Sequence, residues 1–97
     1  MRIKLVPDSC TTFDLGWIAI RCKAMECLHP DDRNKALARH ACGDWGDVTR
    51  AAARRNKLAL KKGGRLRSIY TDRNGIKFWV VTDAHRSWTS VTLPQEY

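Results

Sequence analysis

His40-Ala41-Cys42-Gly43-Asp44-Trp45-Gly46-Asp47 is the stretch that divides this chain. Gly43 reads as a helix stop and Asp47 as a helix start. Glycine takes the left-handed conformation that ends helices, and an aspartate side chain satisfies the free N–H groups at their beginning. Asp44-Trp45-Gly46 must then turn the chain in three residues. A large aromatic in so tight a turn is expected to anchor the corner in the core, where its burial is worth about 1.5–3 kcal/mol or more. Held beside it, His40, Asp44 and Asp47 either build a site or only close two helix ends.

Upstream of the corner, residues 2–6 alternate polar and apolar and read as a short strand closed by Pro7. Ser9, Thr11 and Thr12 offer caps for a helix over residues 13–28. Its residues Phe13, Trp17, Ile20, Ala24 and Leu28 are spaced four, three, four and four apart, the stripe of an amphipathic helix. Leu15, Ile18, Cys22 and Met25 widen that stripe, so this helix is expected to be the most buried. His29-Pro30 ends it, because the residue before proline avoids the helical region. Pro30, Asp31 and Asp32 suit the first turn of a second helix over residues 30–42. Only Leu37 and Ala41 face inward there, which places it near the surface.

Downstream, Asp47 is expected to cap a third helix to about residue 61, stopped by Gly63, with Val48, Ala51, Ala52, Leu58 and Ala59 inward. Residues 65–71 and 76–82 then flank Asp72-Arg73-Asn74-Gly75. Asn-Gly between strand-like runs signals a two-residue type I′ hairpin. That register sets Asp72 opposite Lys77 and Tyr70 opposite Trp79. It also leaves apolar residues on both faces, Ile69, Ile76, Phe78 and Val80 on one and Leu66, Tyr70, Trp79 and Val81 on the other. Helices cover one face, and the other is expected to show an aromatic surface. Residues 87–93 form a last strand ended by Pro94. The expected architecture is a single α+β domain over residues 1–97: three helices followed by an antiparallel three-stranded β-meander, with a short N-terminal strand.

The composition, 43% hydrophobic and 29% charged, is that of a folded domain. No apolar run approaches the roughly 18 residues of a membrane span, and residues 1–7 lack the apolar core of a secretory signal. The expectation is a cytoplasmic protein without membrane partners, its cysteines Cys10, Cys22, Cys27 and Cys42 reduced and mostly buried.

The net charge of +8 points to polyanionic or acidic partners. Arg50, Arg54, Arg55, Lys57, Lys61, Lys62, Arg65 and Arg67 fall between Asp47 and Asp72 with no acid among them. On the third helix Arg50, Arg54, Lys57 and Lys61 recur at four, three and four, forming one ridge able to neutralise phosphates. The alternative is a solvated face balanced elsewhere. Cys22, Cys27, His29, His40 and Cys42 supply zinc-type ligands, but Cys22 and Cys27 point to different sides of a helix and no metal-binding spacing occurs. No metal or cofactor is expected. His40, Asp44, Asp47, Tyr70, His85 and Arg86 are candidate acid–base or phosphate-stabilising groups. Thr82-Asp83-Ala84-His85 leading into Arg86-Ser87-Trp88-Thr89 bears a slight likeness to small microbial ribonucleases and toxin nucleases.

The pattern His40-x-x-Gly43-Asp44-Trp45-Gly46-Asp47, then Asn56, then Gly63-Gly64-Arg65-Leu66-x-Ser68-x-Tyr70, resembles a family of small proteins from bacterial plasmids and integrative elements. Gly75-x-x-x-Trp79-Val80-Val81-Thr82-Asp83-x-x-Arg86-Ser87-x-Thr89 and the closing Leu93-Pro94-x-x-Tyr97 extend the match over residues 40–97. The chain departs from the pattern at His85, where an acid is usual, and at Thr49-Arg50-Ala51-Ala52, where acids are common. The resemblance implies a mobile-element context more than an activity. The reading is a small basic, non-catalytic accessory protein that binds nucleic acid or an acidic, nucleic-acid-handling complex. The alternatives are an anti-restriction or anti-CRISPR type of inhibitor acting by occlusion, and third a small metal-independent ribonuclease.

Overall fold

A computed structural model describes residues 2–3 and 10–97. Its elements are β1 (Arg2–Ile3), β2 (Trp17–Ile20), α1 (Cys22–Cys27), α2 (Pro30–Ala41), α3 (Arg50–Lys62), β3 (Leu66–Thr71), β4 (Lys77–Thr82) and β5 (Trp88–Thr92), then a 3-10 turn at Pro94–Glu96. The class is α+β, but the order corrects the expected helices-then-meander arrangement. The strands form one five-stranded mixed sheet in the order β1-β2-β5-β4-β3. β2 lies parallel to β5, with Trp17 opposite Trp88 and Ile20 opposite Val91. The other pairings are antiparallel. Of the expected 2–6 strand, residues 4–6 lie outside the described residues, as does Ser9.

The expected helix over residues 13–28 is therefore mostly not helix. Trp17-Ile18-Ala19-Ile20 alternates in exposure, with Ile18 and Ile20 buried. β-Branched residues at every second position suit a pleated, half-buried strand better than a helix. What remains helical, α1, spans six residues. Thr11 and Thr12 do not cap it. The Glu96 carboxylate does, accepting from the N–H groups of Lys23 (2.8 Å) and Ala24 (3.1 Å). The free donors of a helix start are thus satisfied from the far end of the chain.

α2 is not peripheral. Arg33, Ala36, Leu37, His40 and Ala41 are all buried. With Ala24 of α1 and Leu28 just after it, they cover the sheet face that carries Ile18, Ile20, Tyr70, Phe78, Val80 and Val91. α3 starts two residues later than expected for an Asp47 cap, because Thr49 is the cap and its hydroxyl accepts from Ala52 N–H at 3.1 Å. Its buried residues are Asn56 and Ala59, whereas Ala51 is exposed and Leu58 is 54% exposed.

The hairpin register is shifted by one residue from the type I′ expectation. Tyr70 stands opposite Phe78, Ile69 opposite Trp79 and Thr71 opposite Lys77. Gly75 N–H closes a turn onto the Asp72 carbonyl (3.0 Å), Asp72 N–H bonds the Ile76 carbonyl (2.9 Å), and Gly75 has φ +81°. This is the three-residue loop whose left-handed glycine makes a bulge. The Asp72 carboxylate favours it by accepting from Asn74 and Ile76 N–H, both at 2.9 Å. The shift places Leu66, Ser68, Tyr70, Phe78, Val80 and Thr82 inward, with Arg67, Ile69, Trp79 and Val81 on the outer face.

Candidate nucleic-acid interface

β3 is the outer strand of the sheet and turns the free N–H and C=O groups of Arg67 and Ile69 away from β4. Unpaired, such an edge is a template for foreign strands. Two parts of the chain cover it. The Asn56 side chain of α3 donates to the Arg67 carbonyl (2.8 Å) and accepts from its N–H (3.3 Å). The corner does the rest: Ile69 N–H donates to the Trp45 carbonyl (3.1 Å), and Asp47 N–H donates to the Ile69 carbonyl (2.7 Å). Between them Gly46 has φ +71°, and a Cβ there would sit 2.1 Å from the Ile69 oxygen and 2.7 Å from the Tyr70 ring. Only glycine fits so close an approach in that conformation.

The corner's side chains serve the same closure. Asp44 pairs with Arg39 at 2.7 Å, both about half exposed. The Arg39 guanidinium lowers the Asp44 carboxyl, and Asp44 in turn raises Arg39. Tyr70 donates to the Asp44 carbonyl, and burial pushes its phenol up to about 12. Trp45 is half-buried rather than fully enclosed, its ring stacked on Phe13 and edge-on to His40. Asp47 is exposed and accepts a long bond from the Thr71 hydroxyl.

His40 is wholly buried. Its Nδ1 faces the Ser68 hydroxyl and its Nε2 the Thr82 hydroxyl (2.9 Å). The Thr82 and Thr89 hydroxyls meet at 2.7 Å, and Thr89 donates to the Leu15 carbonyl at 2.7 Å. That last bond sets the direction of the whole chain. With the Thr89 proton committed to Leu15, Thr82 donates to Thr89 and accepts from Nε2–H, which leaves Nδ1 to accept from Ser68. Each ring nitrogen of a neutral imidazole is thereby satisfied. Burial, aided by the charge of Arg86, pushes the His40 pKa down to about 3.

Arg86 does not pair with the Asp47 or Asp83 carboxylates. Its guanidinium donates to the carbonyls of Gly64 (2.6 Å), Asp83 (2.8 Å) and Ala59 (3.0 Å), closing the C-terminal end of α3 where a cation is favoured. The Asp83 carboxylate is taken by Ser87 and Trp88 N–H. His85 is exposed on the same turn. The residues proposed for acid–base chemistry are therefore not gathered at one surface: His40, Tyr70 and Arg86 are spent inside the fold. Cys10 and Cys42 form a disulfide, so Cys42 is no thiolate ligand, and Cys22 and Cys27 are exposed. This corrects the expectation of buried, reduced thiols. Among the described residues no group of His, Cys, Asp and Glu is arranged to hold a metal ion, and no helix is long and apolar enough to cross a membrane.

The basic run is split by α3 into two surfaces. Arg50, Arg54 and Lys57 rim a groove of about 460 Å³ whose floor is Trp45, Ala53 and Leu60, with Thr12, Cys42 and Gly43 at its end. Lys61 continues this ridge beside Arg54, Lys57 and Leu58. On the other side, Arg55, Arg65 and Arg67 line a cleft of about 310 Å³ with Ala52 and Asn56. Among the described residues no carboxylate lines either. Lys62 is exposed at the end of the helix. Spacing alone marked the ridge, but its apolar floor was missed because Trp45 and Leu60 meet only once the corner folds against α3.

The chain matches no family model, no curated protein and no solved structure.

Proposed function

We propose that this protein binds nucleic acid without acting on it chemically, through the phosphates, with the ridge of α3 as the contact. The observation that carries this reading is the groove in which Arg50, Arg54 and Lys57 project around an apolar floor with no acid among the described residues that line it. Unbalanced cations so arranged release counterions from a polyanion, the main source of affinity for a phosphate backbone. The resemblance of residues 40–97 to plasmid and integrative-element proteins supports a role as an accessory factor of a mobile element. That role favours the cytoplasm. The Cys10–Cys42 bond pulls the other way, since cytoplasmic thiols are kept reduced.

The apolar floor also favours a second reading. A groove with an aromatic wall and a basic rim can seat a side chain from an acidic protein, as an inhibitor of a defence complex would require. One titration separates the two. If the ridge binds phosphates, affinity for random duplex or single strand falls by about 0.7–0.9 log unit per contact for each log unit of salt. Arg54→Gln with Lys57→Gln shallows that slope by about two contacts and weakens all sequences alike, with little change in melting because exposed charges add little stability. Absence of binding to any nucleic acid at about 50 mM salt overturns the phosphate reading. Tight binding to one acidic protein alone would then establish the second.

A further inference from the structure

The second basic surface continues onto the outer sheet face, where Val81 and Thr92 are buried but Trp79 is half-exposed. α1 and α2 occupy the inner face, and the outer face carries Trp79 and Arg67 on neighbouring strands. The Arg67 guanidinium lies 4.7 Å over the Trp79 ring. Tyr97 packs edge-on against Trp79 with centroids 5.3 Å apart, and Arg65 lies over Tyr97 and bonds its hydroxyl. Tyr97 is 55% exposed. Farther along the same face Trp17 and Trp88 stand opposite one another, 41% and 38% exposed. Three of the chain's four tryptophans thus share the sheet face opposite α1 and α2.

We propose that this face binds single-stranded nucleic acid, its backbone entering the Arg55–Arg65–Arg67 cleft and its bases stacking beside Trp79 and Tyr97. The inference rests on the nucleic-acid reading above and names the form of the ligand. A duplex hides the faces of its bases, so aromatic rings displayed on a sheet gain stacking only from unpaired bases. An arginine lying over an aromatic ring keeps its N–H groups in the guanidinium plane, where they can meet phosphate oxygens, while its flat face extends the platform. Among the described residues no carboxylate lines the cleft beside its three arginines, which gives the backbone a landing point next to the rings.

The test is fluorescence anisotropy with a labelled strand of about 12 deoxythymidines and a duplex of the same length, an oligouridine of equal length showing whether RNA replaces DNA. The wild-type protein is expected to hold the single strand more tightly than the duplex. Tyr97→Ala and Trp79→Ala are each expected to weaken the single strand about 10-fold, the loss typical of one stacked base, and to leave duplex binding unchanged. Tyr97→Ala removes an exposed ring, so its melting temperature should match the wild type even if Trp79→Ala disturbs the sheet. Duplex held as tightly as single strand, or a Tyr97→Ala protein with unaltered affinity, overturns this inference and leaves the phosphate reading standing. Failure to bind either probe overturns both.

Discussion

His40 makes the fold sensitive to mild acid. Its imidazole is wholly buried, and both nitrogens are engaged in a hydroxyl chain that suits the neutral ring. Protonation would put a charge where no carboxylate of the described residues meets the ring, with the cationic Arg86 adding repulsion, and the pKa is held at about 3 instead of 6.5. The folded value lies below the unfolded one, so the unfolded chain takes up the proton first. The stabilising contribution is therefore whole above about pH 6.5 and is lost as the pH falls toward about 3. Each pH unit in that window costs about 1.4 kcal/mol, so lowering the pH to about 5 costs about 2 kcal/mol. In a domain whose total is about 5–15 kcal/mol this is a large share.

Urea unfolding at about pH 7 and at about pH 5 measures the loss directly. This comparison stops short of the carboxylates Asp32, Asp44 and Glu96, whose ordinary values of 3.8 and 4.5 lie below about pH 5. All three are lowered in the folded state, so their support is whole above those values and is lost only as the pH falls below them. His40→Asn supplies the control, because its amide keeps a polar atom near the Ser68 hydroxyl but does not titrate. It is expected to be less stable than the wild type at pH ~7 by about 1–3 kcal/mol and nearly flat across the window. A wild-type loss under about 0.5 kcal/mol, or an equal slope in His40→Asn, refutes the reasoning about the buried ring.

Two further outcomes follow from the corner and the segment that pins it. Gly46→Ala should cost about 2–4 kcal/mol in urea unfolding, since the added Cβ meets the Ile69 carbonyl in a left-handed conformation; a loss below about 1 kcal/mol means that the corner does not sit against β3 as described. Cys42→Ser should cost about 3–4 kcal/mol under oxidising conditions, the loop-entropy value for a separation of 32 residues, and nothing once the wild type is treated with reductant. Equal stability of oxidised wild type and Cys42→Ser would show that the bond does not form in solution.

The sequence made some of this legible and concealed the rest for definite reasons. The ridge at Arg50, Arg54, Lys57 and Lys61 is a property of one helix and needs only the helical period. The hairpin at Asn74-Gly75 was equally local, but its register was not. A two-residue and a three-residue loop both want glycine at that point, and the Asp72 carboxylate decides between them by bonding Asn74 and Ile76. Trp17-Ile18-Ala19-Ile20 satisfied the helical and the strand pattern together, and what selects the strand is a parallel partner about seventy residues away in β5. Glu96 capping α1 is non-local in the same way. Short-range propensity carries no information about such partners.

The corner shows why a dense polar motif is a poor guide to a site. Histidine, aspartates, tryptophan and glycines crowd together there because β3 has an edge to be closed, and backbone atoms close it. The Trp45 carbonyl and the Asp47 N–H pair with Ile69, Gly46 allows the approach, and Tyr70 and Arg39 hold Asp44 in place. The side chains that made the stretch conspicuous are largely consumed in that task, His40 most completely. The surfaces left for a partner are those whose charges, among the described residues, are lined by no acid and whose rings lie away from α1 and α2: the two flanks of α3 and the outer face of the sheet. Closing the edge of β3 also places α3 beside that face, so the corner's contribution to binding is to hold the two basic surfaces on either side of one helix.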